Sequence, residues 1–332
     1  MRRTIWLLAV EALAIVAALT LALDLREHGR VAPLGGVNEW GYRGPVTRQR
    51  QPHEIRIAIV GGTRAFGWGV PASALVAELG HVVMFTTDRP GEQARPVVVI
   101  NLGRMGALPE DYPEIIEQFA YLKPDYICLL DDLGVRGGSP VTGTGRTSGI
   151  YQLTGYAPAL PLVLREKGMI LRRGDVRLGY MPAMSGHTAD RPLVDRAAGA
   201  TLEAVGQTLA AADLELSSLV SRHLEAPSST GPGTYVDAMM AAIDSGHRHA
   251  RGVVVVTSPP EAAEQAANQS ALQNRLIRFT NSASWLRRVN LADDAGLSSD
   301  PGLRLDGWNY SSAGVVAVAH RIAPALVSLI QS

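Results

Sequence analysis

Any chemistry in this chain has to come from carboxylates, arginines and hydroxyls set in glycine-rich turns. Asp131 and Asp132 stand side by side after an apolar run. Such a pair can hold a cation or share a proton. The simpler reading puts Asp131 at a pocket rim and hydrogen-bonds Asp132 to nearby loop backbone. Arg64, Arg104 and Arg136 also follow apolar runs. Three cations bordering one cleft would suit an anionic ligand such as an acidic glycan or a phosphate; for any one of them a solvated surface position is the simpler reading. Gly61, Gly62, Gly67 and Gly69 surround Arg64, but the stretch lacks the Gly-Lys-[Ser/Thr] of a P-loop and the Gly-x-Gly-x-x-Gly register of a dinucleotide site. Nucleotide binding is therefore not expected. Of the eight histidines, His187, in the loop Met184-Ser185-Gly186-His187, is the one to test as a base; the others read as surface or packing residues. The single Cys128 excludes an intramolecular disulfide and a cysteine-rich metal site, and no cofactor or metal is expected. With 31 basic and 31 acidic residues, binding nucleic acid through bulk counterion release is not expected either.

These residues need elements to position them. Residues 55–60 (IRIAIV), 97–102 (VVVINL), 126–130 (YICLL) and 253–256 (VVVV) are near-continuous apolar runs, the pattern of strands covered on both faces. A weaker fifth strand is expected at 286–291 (LRRVNL). Helical spacing marks 113–122, closed by Pro124, as well as 262–280 and 312–330. Alternation of strands and helices predicts a parallel α/β sheet with right-handed crossovers. Ligands in such a sheet sit beyond the carboxyl ends of the strands, which is where Arg64, Arg104 and Asp131 fall. A long insert, about 134–232, contains the stretch GVRGGSPVTGTGRTSG and an amphipathic region near 188–224. It is expected to elaborate the carboxyl edge of the sheet, with 151–173 as packing helix or substrate-facing lid.

Apolar residues make up 46% of the chain, and the N-terminus accounts for part of the excess. Residues 4–23 form a run whose only strongly polar member is Glu11. Twenty helical residues rise about 30 Å, enough to cross a bilayer core. Arg2 and Arg3 precede the run and favour a cytoplasmic N-terminus. A cleaved signal peptide is the competing reading. However, the run exceeds an h-region of about 7–15 residues, and Thr20-Leu21-Ala22 is a poor cleavage match. Residues 1–23 are thus expected to be a single-pass anchor, residues 24–54 a tether, and 55–332 a domain on the periplasmic or other extracytoplasmic side. Glu11 is either outweighed by its apolar neighbours or a polar contact with another membrane protein's helix.

Four blocks stand at the strand ends: Gly61-Gly62-Thr63-Arg64, Asn101-Leu102-Gly103, Asp131-Asp132-Leu133-Gly134 and Asp306-Gly307-Trp308-Asn309. Before the first strand comes Asn38-Glu39-Trp40-Gly41-Tyr42-Arg43-Gly44. This ordered set resembles the SGNH (GDSL-type) hydrolase family, in particular its membrane-anchored bacterial branch, from about residue 38 to the C-terminus. The resemblance implies a three-layer α/β/α sandwich with a flavodoxin-like parallel sheet, preceded here by one transmembrane helix. It also implies a nucleophile at position 63, oxyanion donors at 103 and 131, and an acid–base pair at 306 and 309.

The chain departs from that pattern where the chemistry lies. Thr63 replaces the nucleophilic serine, and a threonine hydroxyl attacks only when a base activates it. Asp131 replaces an oxyanion-stabilising Asn; ionised, it accepts hydrogen bonds and donates none. Asn309 replaces the catalytic His and has no usable basicity near neutral pH. Only Gly103 and Asp306 keep the family's residue type. The expectation is a catalytically impaired relative that binds an acylated or anionic envelope carbohydrate or a membrane partner. The alternatives are a working esterase or O-acyltransferase with Thr63 as nucleophile, and a purely structural membrane partner.

Overall fold

The computed structural model describes residues 2–31, 37–67, 69–87, 95–104, 107–131, 148–174, 191–221, 235–260, 263–280, 283–294, 296–297, 300–305 and 309–332. The chain divides into two compact units. One comprises Met1–Ala32, Val37–Gly41 and Thr142–Glu225, and the other Pro33–Gly36, Tyr42–Val141 and Ala226–Ser332. The first unit holds helices α1 (Arg2–Val31), α5 (Gly149–Thr154), α6 (Leu160–Arg173) and α7 (Leu193–Ser221). The second holds α2 (Thr63–Phe66), α3 (Ser73–Thr87), α4 (Tyr112–Gln118), α8 (Tyr235–His249), α9 (Ala263–Thr280) and α10 (Ser312–Gln331).

The second unit is built on strands β1 (Ile55–Gly61), β2 (Val97–Asn101), β3 (Tyr126–Asp131), β4 (Gly252–Thr257) and β5 (Leu286–Asn290). They form one all-parallel sheet in the order β2-β1-β3-β4-β5. The alternation of side chains explains why these runs are apolar throughout. Ile57, Ile59, Cys128, Leu130, Val254 and Val256 pack with α3 and α10. Ala58, Val60, Ile127, Leu129, Val253 and Val255 pack with α4, α8 and α9. Each fully buried Val or Ile side chain contributes roughly 1.5–3 kcal/mol, so β1, β3 and β4 carry most of the core. β5, an edge strand, tolerates the exposed Arg288. The helix expected over 113–122 is shorter, because Phe119 leaves helical geometry and the chain tightens into a 3₁₀ turn at Ala120–Leu122.

At the amino-terminal edge of the sheet an ionic tie fastens residues 48–54. Arg50 Nη2 donates to both Asp125 oxygens at 2.8 and 2.6 Å, and Asp125 also accepts the Arg56 amide at 2.9 Å. The Arg56 guanidinium in turn reaches Glu54, the Leu122 carbonyl and the Arg48 carbonyl.

In the first unit α1 does not stop at Leu23. It runs on to Val31, and Asp24, Glu27 and His28 are buried. Asp24 accepts the Ala159 and Leu160 amides at 3.2 and 2.5 Å and the Tyr156 hydroxyl. A carboxylate from another helix thereby satisfies the orphan amides at the start of α6 and complements its dipole. His28 faces the Val37 and Ala157 carbonyl oxygens with its two ring nitrogens, at 3.0 and 2.7 Å. α6 and α7 lie so close that a Cβ on Gly168 would meet the Gly199 carbonyl oxygen at 2.6 Å.

Asp125→Ala should cost about 1–3 kcal/mol, because it leaves the buried Arg56 amide without its acceptor. A fall in the thermal midpoint of several degrees in detergent, with the helical signal of the folded state unchanged, is the expected result.

Candidate functional site

Strand order alone locates the site. β2 lies on one side of β1 and β3 on the other, so the winding reverses between β1 and β3. Ligands bind at such switch points, beyond the carboxyl ends of the strands. Gly61 pairs with Leu130 across this junction, which places the Thr63 turn and Asp131 on its two sides.

The turn after β1 is held from three directions. Asn101, at the end of β2 and fully buried, donates from Nδ2 to the Ala65 carbonyl at 2.8 Å. Its Oδ1 accepts the Gly103 amide at 2.9 Å, and its backbone carbonyl accepts the Arg43 amide at 2.9 Å. Arg43 is buried, lies 4.4 Å above the Phe66 ring and donates to the Val70 carbonyl. Burial pushes its pKa down to about 10, which still leaves it charged at neutral pH. Residue 103 has to be glycine here: a Cβ would stand 2.5 Å from the Phe66 amide nitrogen and 2.7 Å from the Ala65 carbonyl carbon.

Thr63 opens α2 and is half-buried. Arg64 is not a solvated rim cation. It is buried, with its guanidinium 5.8 Å from the Tyr310 ring centroid and Nη1 3.4 Å from the Pro259 carbonyl. Arg104 takes different neighbours, the Gln118 side chain and the Phe119 ring, 5.5 Å away. Asp131 likewise departs from the expected rim position, being wholly buried. Its carboxylate accepts the Tyr235 hydroxyl, and its carbonyl accepts Ser258 Oγ at 2.6 Å. Burial first, and the Asp131 charge second, push the Tyr235 hydroxyl pKa far up, so it remains a donor. Asn309 is buried, and its carbonyl accepts the Leu305 amide at 2.8 Å. Asp306, Asp132, Arg136 and His187 lie outside the described residues. Among the described residues no group of three or more His, Cys, Asp or Glu could hold a metal ion.

The structure thus joins Thr63, Arg64, Asn101, Gly103 and Arg43 around one turn, and Asp131 to Tyr235 and Ser258 beside it. Sequence reasoning missed Tyr235 and Ser258 as parts of this neighbourhood, and it quoted Arg43 only as part of the block before the first strand. Ser258 carried a signal, since it directly follows the Val-rich fourth strand. Tyr235 carried none. Chemically, an oxyanion needs donors about 2.7–3.1 Å from its position. The Gly103 amide already donates to Asn101, and the Asp131 side chain is an acceptor. No protein-family model matches the chain, and no curated protein matches it.

Asn101→Ala leaves the Ala65 carbonyl and the Gly103 amide without their buried partner, at a cost of about 2–4 kcal/mol. Thermal unfolding of the purified chain should show this as a clearly lowered midpoint, whereas Arg104→Ala should stay close to wild type.

Proposed function

We propose that this chain is a membrane-anchored protein of SGNH type, with a three-layer α/β/α domain on the extracytoplasmic side, that binds an acylated envelope carbohydrate without cleaving it. The observation that carries this reading is the Gly103 amide. At the position where the family resemblance implies an oxyanion donor, this N–H is committed to Asn101 Oδ1. The second donor position is occupied by Asp131, a buried acceptor bonded to Tyr235. The base position holds Asn309, which cannot take a proton from Thr63 near neutral pH. Loss of a single oxyanion donor typically slows acyl transfer by about 10²–10³, and here both are lost together with the base. The anchor reading rests on the unbroken helix α1, whose side chains from Trp6 to Leu8 and from Val16 to Leu23 are exposed and largely apolar. Arg2 and Arg3 before it favour a cytoplasmic N-terminus.

A second reading, a working esterase or O-acyltransferase, draws on the position of Thr63. It is half-buried, at the switch point where a nucleophile belongs.

The full-length chain in detergent, assayed with p-nitrophenyl acetate and an acetylated polysaccharide, separates the two. The proposal expects no turnover beyond that of Thr63→Ala, and polysaccharide binding that persists in this variant. Turnover that disappears in Thr63→Ala would establish the second reading instead.

A further inference from the structure

Among the described residues of the first unit several apolar side chains are exposed, and their position relative to α1 says what covers them. We propose that α5 and the carboxyl-terminal part of α7 form a foot that rests in the interfacial layer of the bilayer beside the anchor helix. The proposal builds on the reading of α1 as a membrane span.

The level of the foot follows from Asp24. The apolar run of α1 ends at Leu23, and the next residue, Asp24, binds the first amides of α6 and the Tyr156 hydroxyl. The start of α6 therefore lies within one helical turn, about 5 Å along α1, of the boundary between apolar and polar residues. One turn further along α1, Glu27 binds Lys167 at 3.3 Å. α6 and α1 thus advance in the same sense, away from the apolar run.

α7 runs antiparallel to α6. Gly199 faces Gly168 and Arg172, and Gly206 faces Pro161 and Arg165. Beyond Gly206, α7 passes the start of α6, and α5 packs on that overhang. The Ile150 amide donates to Asp213 Oδ1 at 2.9 Å, and Gln152 Nε2 donates to Ser217 Oγ at 2.9 Å. Asp213 and Ser217 lie about 10 and 16 Å past Gly206 along the helix, on the side toward the apolar run of α1.

That end exposes Leu153 (61%), Leu214 (56%), Leu219 and Ile150. Trp40 lies beside it, its ring 3.4 Å from where a Cβ on Gly155 would be, and it is 41% exposed. Tryptophan and tyrosine collect at membrane–water interfaces because one end of the ring system is apolar and the other polar. Glu215 on the same part of α7 is exposed, and a charged group there suits an end that stays at headgroup level and does not cross the hydrocarbon. The opposite end of α7 also exposes apolar residues, Leu193 and Val194 (77%), but they lie beyond Gly199 and belong in water by the same geometry.

Spin labels on the full-length chain in liposomes of phosphatidylethanolamine and phosphatidylglycerol test this. Cys128 is wholly buried, and burial pushes its thiol pKa up to about 12, so Leu19→Cys, Leu153→Cys and Val194→Cys can be labelled singly. The readout is accessibility to oxygen against a water-soluble nickel chelate. The expected result is a deep Leu19, a Leu153 ratio several-fold above that of Val194, and an aqueous Val194. Leu214→Cys repeats the measurement on α7 should Leu153→Cys fold poorly. An aqueous Leu153 or a lipid-exposed Val194 would overturn the foot while a deep Leu19 keeps the anchor. A Leu153 label shielded from both reagents would reveal a protein contact and overturn it too. An aqueous Leu19 would overturn the anchor reading itself.

Discussion

One buried carboxamide sets the geometry on which the rest of the candidate site depends. Asn101 joins the end of β2 to the turn after β1 through Nδ2 and to its own loop through Oδ1. Its backbone carbonyl draws Arg43 into the same corner. A carboxamide suits this position because it donates and accepts at once through two separate atoms, whereas a carboxylate, which only accepts, would leave the Ala65 carbonyl unmatched. The consequence is chemical as well as structural. The interaction that secures the Gly103 loop also takes up the N–H that an oxyanion would require.

The neighbouring strand end reinforces the same outcome. Wholly buried carboxylates persist when they are hydrogen-bonded, and Asp131 accepts the Tyr235 hydroxyl. Ser258, from the end of β4, ties the Asp131 backbone into the same arrangement, and Gln269 of α9 holds the Ser258 carbonyl. The ends of β3 and β4 are thus fastened by side chains that bond strand-end backbone carbonyls and by the Tyr235–Asp131 pair. Arg64, packed against Tyr310 and Pro259, behaves as part of the scaffold and not as a waiting cation.

The sheet was legible because its strands are apolar on both faces, a pattern that survives without knowledge of any partner. IRIAIV, YICLL and VVVV suit strands covered on both faces. The residues around the site were less legible, because polarity in a sequence does not distinguish a solvated side chain from a buried, paired one. Asp24, Glu27 and His28 read as the start of a polar tether, yet Asp24 finds its partner 132 residues away in Tyr156. Asp131 read as a rim residue, because nothing near it in the chain announces Tyr235, 104 residues on. Arg64 and Arg104 looked alike beside apolar runs, and only folding gives them different neighbours. The residue types at positions 63, 131 and 309 were readable at once, and the Asn101–Gly103 bond needed coordinates.

The central claim, which belongs to the proposed function, is that the Thr63 hydroxyl is not an activated nucleophile: Asn309, at the base position the resemblance implies, takes no proton near neutral pH, and the Gly103 amide is committed to Asn101. A fluorophosphonate reports this directly: it phosphonylates an activated hydroxyl through an oxyanion-like transition state and marks the residue permanently. Intact-mass and peptide mass spectrometry of the full-length chain after incubation with such a probe should find Thr63 unmodified. A stoichiometric adduct on Thr63 would contradict the account.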